Sequence, residues 1–245
     1  INLGSSSNIL IGGPDVGDGN LVSGNEGAGV FLQYSSNSLV TVQGNTIGTD
    51  IDGEVSLGRQ ETGLRADQGV GVTVIDNLLS GNSSRGIGGK LSDSNISGNR
   101  IGVNAAGNAA VSNGSDGFQI KGGSNVSIQS NLISGNARYG ILIEDSENAS
   151  FMGNLVGTNF DGTLDIGNGS GGAAIWTSSD ITIGAGNIFS GNANEGLWLS
   201  GVTNATVTGS KFGTNAAGTA AISNDNDGIH VDFGSTNVTI GGATV

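Results

Sequence analysis

The chain has 245 residues, a net charge of −13 and a pI near 4.1, with 47 Gly, one Pro and no Cys. The lack of Cys excludes disulfides and thiolate metal sites. Eight scattered Lys and Arg residues exclude a basic stripe for nucleic acid, and no apolar run reaches membrane length.

In chain order, Asn20-Leu21-Val22 introduces a phrase: Asn, any residue, then a large apolar residue. It returns at Asn45, Asn77, Asn99, Asn131, Asn154 and Asn187, and as Ser210-Lys211-Phe212 with Ser in place of Asn. Two versions alternate. Asn-Φ-Φ-Ser-Gly-Asn, with Φ a large apolar residue, occupies 20–25, 77–82, 131–136 and 187–192. Gly-Asn-x-Φ-Gly-Thr-Asp/Asn occupies 44–50, 98–104, 153–159 and 209–215, with Val103 replacing Thr and Ser210 replacing Asn. Like phrases are 54 to 57 residues apart, so each repeat holds a coil of about 23 residues and one of about 32.

Apolar residues alternate between these phrases, as in Val30/Leu32, Val40/Val42, Val72/Val74, Phe118/Ile120, Val126/Ile128 and Ile141/Ile143. The same alternation continues through Ala149/Phe151, Ile181/Ile183, Leu197/Leu199, Ala205/Val207 and Ile229/Val231 to Val238/Ile240. Period two is the strand signal. Three short strands per coil, each pairing with its counterpart in the next coil, predict an all-β solenoid of about nine coils with three parallel sheets. The recurring Asn residues (Asn20, Asn45, Asn77, Asn99, Asn131, Asn154 and Asn187) are expected to stack as a structural amide ladder at a bend. The whole chain, 1–245, reads as one solenoid. Ile1 to Gly13 parallels Ile229 to Gly242, which suggests a segment of a longer array or a unit that stacks end to end.

The repeat resembles the right-handed parallel β-helix shared by pectate-lyase-like enzymes and many bacterial surface proteins. Its Gly-Asn-x-Ile-Gly-Thr-Asp form is similar to arrays in secreted or surface proteins of bacteria. The resemblance implies an extracellular or cell-surface location. It also implies that a polysaccharide groove, where there is one, runs along an outer sheet face.

Alternation assigns two outward columns to that face. One reads Phe31, Arg65, Gly88, Gln119, Leu142, Ala174, Trp198 and His230; the other reads Gln33, Asp67, Lys90, Lys121, Glu144, Trp176, Ser200 and Asp232. From these, Phe31, Arg65, Asp67, Lys90, Gln119, Lys121, Glu144, Trp176, Trp198, His230 and Asp232 form the expected ligand-binding face. Aromatic rings there can stack on sugars while acids and amides bond to hydroxyls; the competing reading is plain packing along a flat sheet. Glu144 and Asp145, as neighbours on a strand, are expected to diverge. The three carboxylates in the columns lie too far apart for a glycosidase pair, and the acidic pairs of pectinases and the Asp-Pro-His signature of alginate epimerase modules are absent. No catalytic set is therefore assigned. Asp50, Asp52 and Glu54 alternate oxygen ligands around Gly53, a weak Ca²⁺ pattern with an ordinary Asx turn as its alternative.

The first functional expectation is a structural or adhesive module that binds glycans along one face or stacks on copies of itself. The alternatives are a polysaccharide lyase using Lys121 and Glu144, and a self-assembling filament subunit. No nucleic-acid partner, no membrane span and no obligatory cofactor is expected.

Overall fold

A computed structural model describes residues 1–33 and 37–242. Among the described residues there is no helix, and none is long and apolar enough to cross a membrane. All the strands pair in parallel, each with its counterpart one coil away, in three ladders. The first ladder runs from Asn2–Leu3 through Val30–Leu32, Phe118–Lys121 and Ala173–Trp176 to Ile229–Asp232. The second runs from Ser7–Gly12 to Thr236–Ile240, and the third from Leu21–Val22 to Lys211–Phe212. This is a parallel β-helix of nine coils. The three ladders are the three parallel sheets expected, and the first two are continuous at the corner that Leu64–Val70 and Ile87–Ser97 run across.

The core is the set of inward side chains stacked in columns. Val30, Leu64, Ile87, Phe118, Ile141 and Leu197 lie above one another in the first ladder, all inaccessible to solvent. The second residue of each Φ-Φ pair, such as Leu79, Ile101, Ile133 and Phe189, fills the third ladder from inside. The first residue of each pair points outward, yet Leu78, Leu132 and Ile188 are buried too. The loops that follow each Gly-Thr-Asp/Asn phrase fold back over them. The outward positions of this ladder are thus apolar and covered at Leu78, Leu132 and Ile188, while other coils place Thr46, Arg100 and Lys211 there.

Each of these loops is closed by the same device. Asn104, Asn159 and Asn215 each accept two backbone N–H bonds through Oδ1, four and five residues on. Asp50 does the same for Glu54 and Val55 at 2.8 and 3.1 Å. These bonds, that from Val55 foremost, hold its carboxyl below the ordinary aspartate range.

At the bend before the third ladder, the Nδ2 of each Asn donates to the Oδ1 of the Asn one coil on. The chain runs Asn20, Asn45, Asn77, Asn99, Asn131, Asn154, Asn187 at 2.9–3.0 Å, then to Ser210 Oγ at 3.3 Å. From Asn45 on, these amides also accept a backbone N–H or donate to backbone carbonyls, as Asn99 does to Val74 and Ser97, so the buried polar groups of the bend are paired. A second ladder stands at the next bend: Asn25, Gln60, Asn82, Asn113, Asn136, Asn168, Asn192 and Asn224, with links of 2.8–3.2 Å. The closing Asn of Asn-Φ-Φ-Ser-Gly-Asn was the sequence signal for it.

Candidate functional site

The two ladders of amides fix the coil spacing, and the register then fixes the outer face of the first ladder. Phe31, Arg65, Gly88, Gln119, Leu142, Ala174, Trp198 and His230 pair in sequence as one column. Lys121, Glu144, Trp176, Ser200 and Asp232 form the next. Lys90 has no register partner: its pairing with the preceding coil shifts between Gly89 and Leu91, and the pairing with the following coil ends at Gly89 and Ile120.

Aromatic rings collect at one end of this face. Tyr139, from the bend before the strand, lies over Gly171, where an added Cβ would be 3.3 Å from the ring. It packs with Leu142 and Ala174, and the small residues in neighbouring coils are what make room for it. Tyr139 meets Trp176 edge-on with centroids 5.7 Å apart, Trp176 meets Trp198 at 5.3 Å, and Trp198 meets His230 at 6.1 Å. Trp198 Nε1 donates to Asp232 Oδ1 at 3.1 Å, which sets its ring. Trp176, Thr177, Trp198, Ser200, Gly201 and Phe233 line an apolar hollow of about 400 Å³. Burial, with the Glu195 charge next, pushes the Tyr139 phenol above its ordinary pKa.

Charged groups surround the rings. His230 lies between Asp227 at 3.0 Å from Nδ1 and Asp232 at 3.2 Å from Nε2, so both nitrogens face carboxylates. Asp227 is the leading cause of a raised imidazole pKa. Lys121 Nζ lies 3.8 Å from Glu144 and 3.6 Å from Asp145. The two acids therefore converge where divergence was expected, since Asp145 has φ 49° and turns its side chain back. Gln119 donates to Glu144 at 2.8 Å. Arg65 pairs with Asp67 at 3.1 Å and sits over the Phe31 ring. Asp116, fully buried, has Arg85 and Arg138 each at 3.6 Å. Of five buried side-chain polar atoms without a partner among the described residues, three lie on this face or its entering bend: Arg85 Nε, Trp176 Nε1 and Glu195 Oε2.

A family described as "Right handed beta helix region" matches residues 7–184. The chain belongs to this family. No curated protein matches the β-helix by sequence. Among solved structures it is similar to the A-module of the Azotobacter vinelandii mannuronan C-5 epimerase AlgE4. That pair is 15% identical over 98% of this chain and 76% of the other, with TM-score 0.61. A mutant of the periplasmic alginate epimerase AlgG gives 17% identity, 86% of this chain, 46% of the other and TM-score 0.60. The enzymatically active domain of bacteriophage CBA120 tailspike protein 2 gives 13%, 87%, 37% and 0.53. The β-helix thus spans under half of the latter two chains, and likeness at these identities shows the fold alone.

The β-helix brings Trp176, Trp198, His230 and Asp232 together, and separately Gln119, Lys121 and Glu144. Phe31, Arg65 and Asp67 form a third group two to three coils further from the Trp pair than Gln119 is. Asp50, Asp52 and Glu54 are elsewhere, and Glu54 accepts from Asn104 at 3.0 Å across to the next like loop. Among the described residues no cluster of three His, Cys, Asp or Glu could hold a metal ion. Tyr139, Glu195, Asp227 and Phe233 were missing from the sequence reading. The first three sit at the bend before the strand and Phe233 just after one, where alternation no longer assigns a direction.

Proposed function

We propose that this β-helix is a rigid, carbohydrate-contacting module of a secreted or surface-exposed bacterial protein, which holds a glycan along the outer face of the first ladder. The observation that carries this reading is the strip from Tyr139 through Trp176 and Trp198 to the hollow beside Phe233. Its rings offer apolar faces to sugar C–H groups, while Asp232, Ser200 and Thr177 offer oxygens to hydroxyls. The structural neighbours, alginate epimerases and a phage tailspike, support a glycan as ligand and an extracytoplasmic setting. The reading needs no cofactor, and Ca²⁺ is a variable of its test. A lyase reading is kept alive by Lys121 beside Glu144, although a cation shared by two carboxylates is equally a surface charge ladder.

The test is a panel of polysaccharides, with and without Ca²⁺, read by tryptophan fluorescence and by new reducing or unsaturated ends. Binding without new ends is expected, weakened about tenfold or more in Trp198→Ala. New ends that vanish in Lys121→Ala would replace this reading by the lyase. No binding to any polymer would leave a scaffold or a self-stacking unit.

A further inference from the structure

The chain carries only eight cationic side chains, and four of them, Arg65, Arg85, Lys90 and Lys121, line one cavity of about 550 Å³ on the same face. Its acids are Glu61 and Asp67, so the lining carries two net positive charges in a molecule of net charge −13. The floor is built from Gly88 and Gly89. A Cβ on Gly88 would lie 3.0 Å from the Arg85 side chain, and Gly89 has φ 129° with a Cβ position 1.9 Å from the Ala66 carbonyl oxygen. The outer column is therefore empty at this coil, where the coils on either side carry Arg65 and Gln119. The Arg85 side chain lies beside Gly88, and Lys90, next to the shift in pairing with the preceding coil, stands at the rim.

One of these cations is not used up by the fold. Lys90 makes no ion pair or hydrogen bond among the described residues. Arg85 is ion-paired through its buried Nε with Asp116 at 3.6 Å, and its side chain is 33% exposed. Cations concentrated in a concavity focus the local potential even where the whole molecule is acidic. Guanidinium and ammonium groups together suit a planar or tetrahedral oxyanion.

We propose that this glycine-floored cavity is an anion subsite that takes a carboxylate, sulfate-ester or phosphate-ester group of the glycan. The inference rests on the glycan reading above. The cavity is centred three to four coils from Trp176 and Trp198, on the order of 14–19 Å along the axis. A ligand that fills both places is a polymer lying along the coils, with an uncharged stretch on the rings and an anionic group among the cations.

The experiment is titration calorimetry of the purified chain with dextran, dextran sulfate, polygalacturonate and sodium sulfate, at low salt and at about 0.15 M ionic strength. Wild type, Lys90→Glu and Trp198→Ala are compared. Lys90 holds nothing in the fold, so its variant keeps the structure, which circular dichroism checks. Dextran sulfate or polygalacturonate is expected to bind at least tenfold more tightly than dextran, more weakly in salt, and about tenfold more weakly in Lys90→Glu. Whichever of the two binds better identifies the anionic group. Equal binding of dextran and dextran sulfate, untouched by Lys90→Glu, overturns the anion subsite and leaves the glycan reading standing. Binding of sodium sulfate that Lys90→Glu abolishes, without binding of any polymer, upholds an anion site and sinks the glycan reading. No heat with any of the four sinks both.

Discussion

Phe233 is held at φ 46°, in a column where the neighbouring coils place Gly122, Asp145, Thr177 and Gly201, all at positive φ. A left-handed backbone costs an aromatic residue roughly 1–2 kcal/mol. Its ring is 81% exposed, so burial does not offset that cost. Phe233→Gly is expected to stabilise the fold by up to about 1 kcal/mol, less the entropy that glycine brings to the unfolded chain. The same change should weaken glycan binding severalfold. A thermal melt beside a binding titration decides it: a variant that loses both stability and affinity would show the ring to be packing. His230 offers a second residue-scale test. Its pKa lies above 6.5, chiefly through Asp227, so its charge contribution to stability is full below pH 6.5 and is lost as pH rises through the folded value. The NMR titration of its Hε1 proton should have a midpoint above 6.5, and Asp227→Asn should lower it. A midpoint unmoved by Asp227→Asn would contradict the pairing.

The coil spacing is an element-scale property, set by hydrogen bonds that run along the axis as well as by the sheets. Asn131 Nδ2 serves Ile96 O and Asn154 Oδ1, and its Oδ1 takes the N–H and amide of Asn99. Asn131→Ala leaves several buried groups unpaired and is expected to cost about 3 kcal/mol or more. Asn136→Ala in the second ladder should cost a similar amount, since that amide also serves two neighbours. Chemical denaturation checks both, and a loss below 1 kcal/mol at either would mean that water replaces the amide. The first ladder was legible because its Asn recurs in the same phrase in every coil. The second was only half legible: Asn113, Asn168 and Asn224 follow loops that shift them relative to Asn82, Asn136 and Asn192, and Gln60 replaces Asn outright. The columns of the outer face followed from period two alone. What alternation could not supply was the shift at Gly89 or the return of Asp145, because both depend on a single positive φ. The bend residues Tyr139, Glu195 and Asp227 escaped for a related reason, since they lie where the strand has not yet begun.

At the scale of the whole molecule, the strands of each coil pair only with adjacent coils and the loops add bonds two coils apart, as from Ala105 N–H to Gly53 O, so stability is a sum of coil and interface contributions rather than the property of one centre. The interior coils bury their side chains completely: Ile96, Ile128, Phe151 and Ile183 are inaccessible. The first and ninth coils are covered on one side, leaving the inward Ile240 at 54% exposed where its counterpart one coil in, Val207, is at 2%. Amides of Ile96–Ile183 are therefore expected to exchange with solvent through rare, large openings, while those of Ser7–Gly12 and Thr236–Ile240 exchange through cheap local ones. Hydrogen exchange followed by mass spectrometry at low protein concentration should show protection rising from both ends toward the middle. Uniform protection would mean that the stack opens as one unit. Repeating the measurement at high concentration separates the two remaining ideas about this face of the problem. Copies stacked end to end would cover the first and ninth coils, so protection there should climb with concentration while the middle is unchanged. A module that works alone would show the same gradient at every concentration, and its glycan should slow exchange along the Trp176 and Trp198 strands instead.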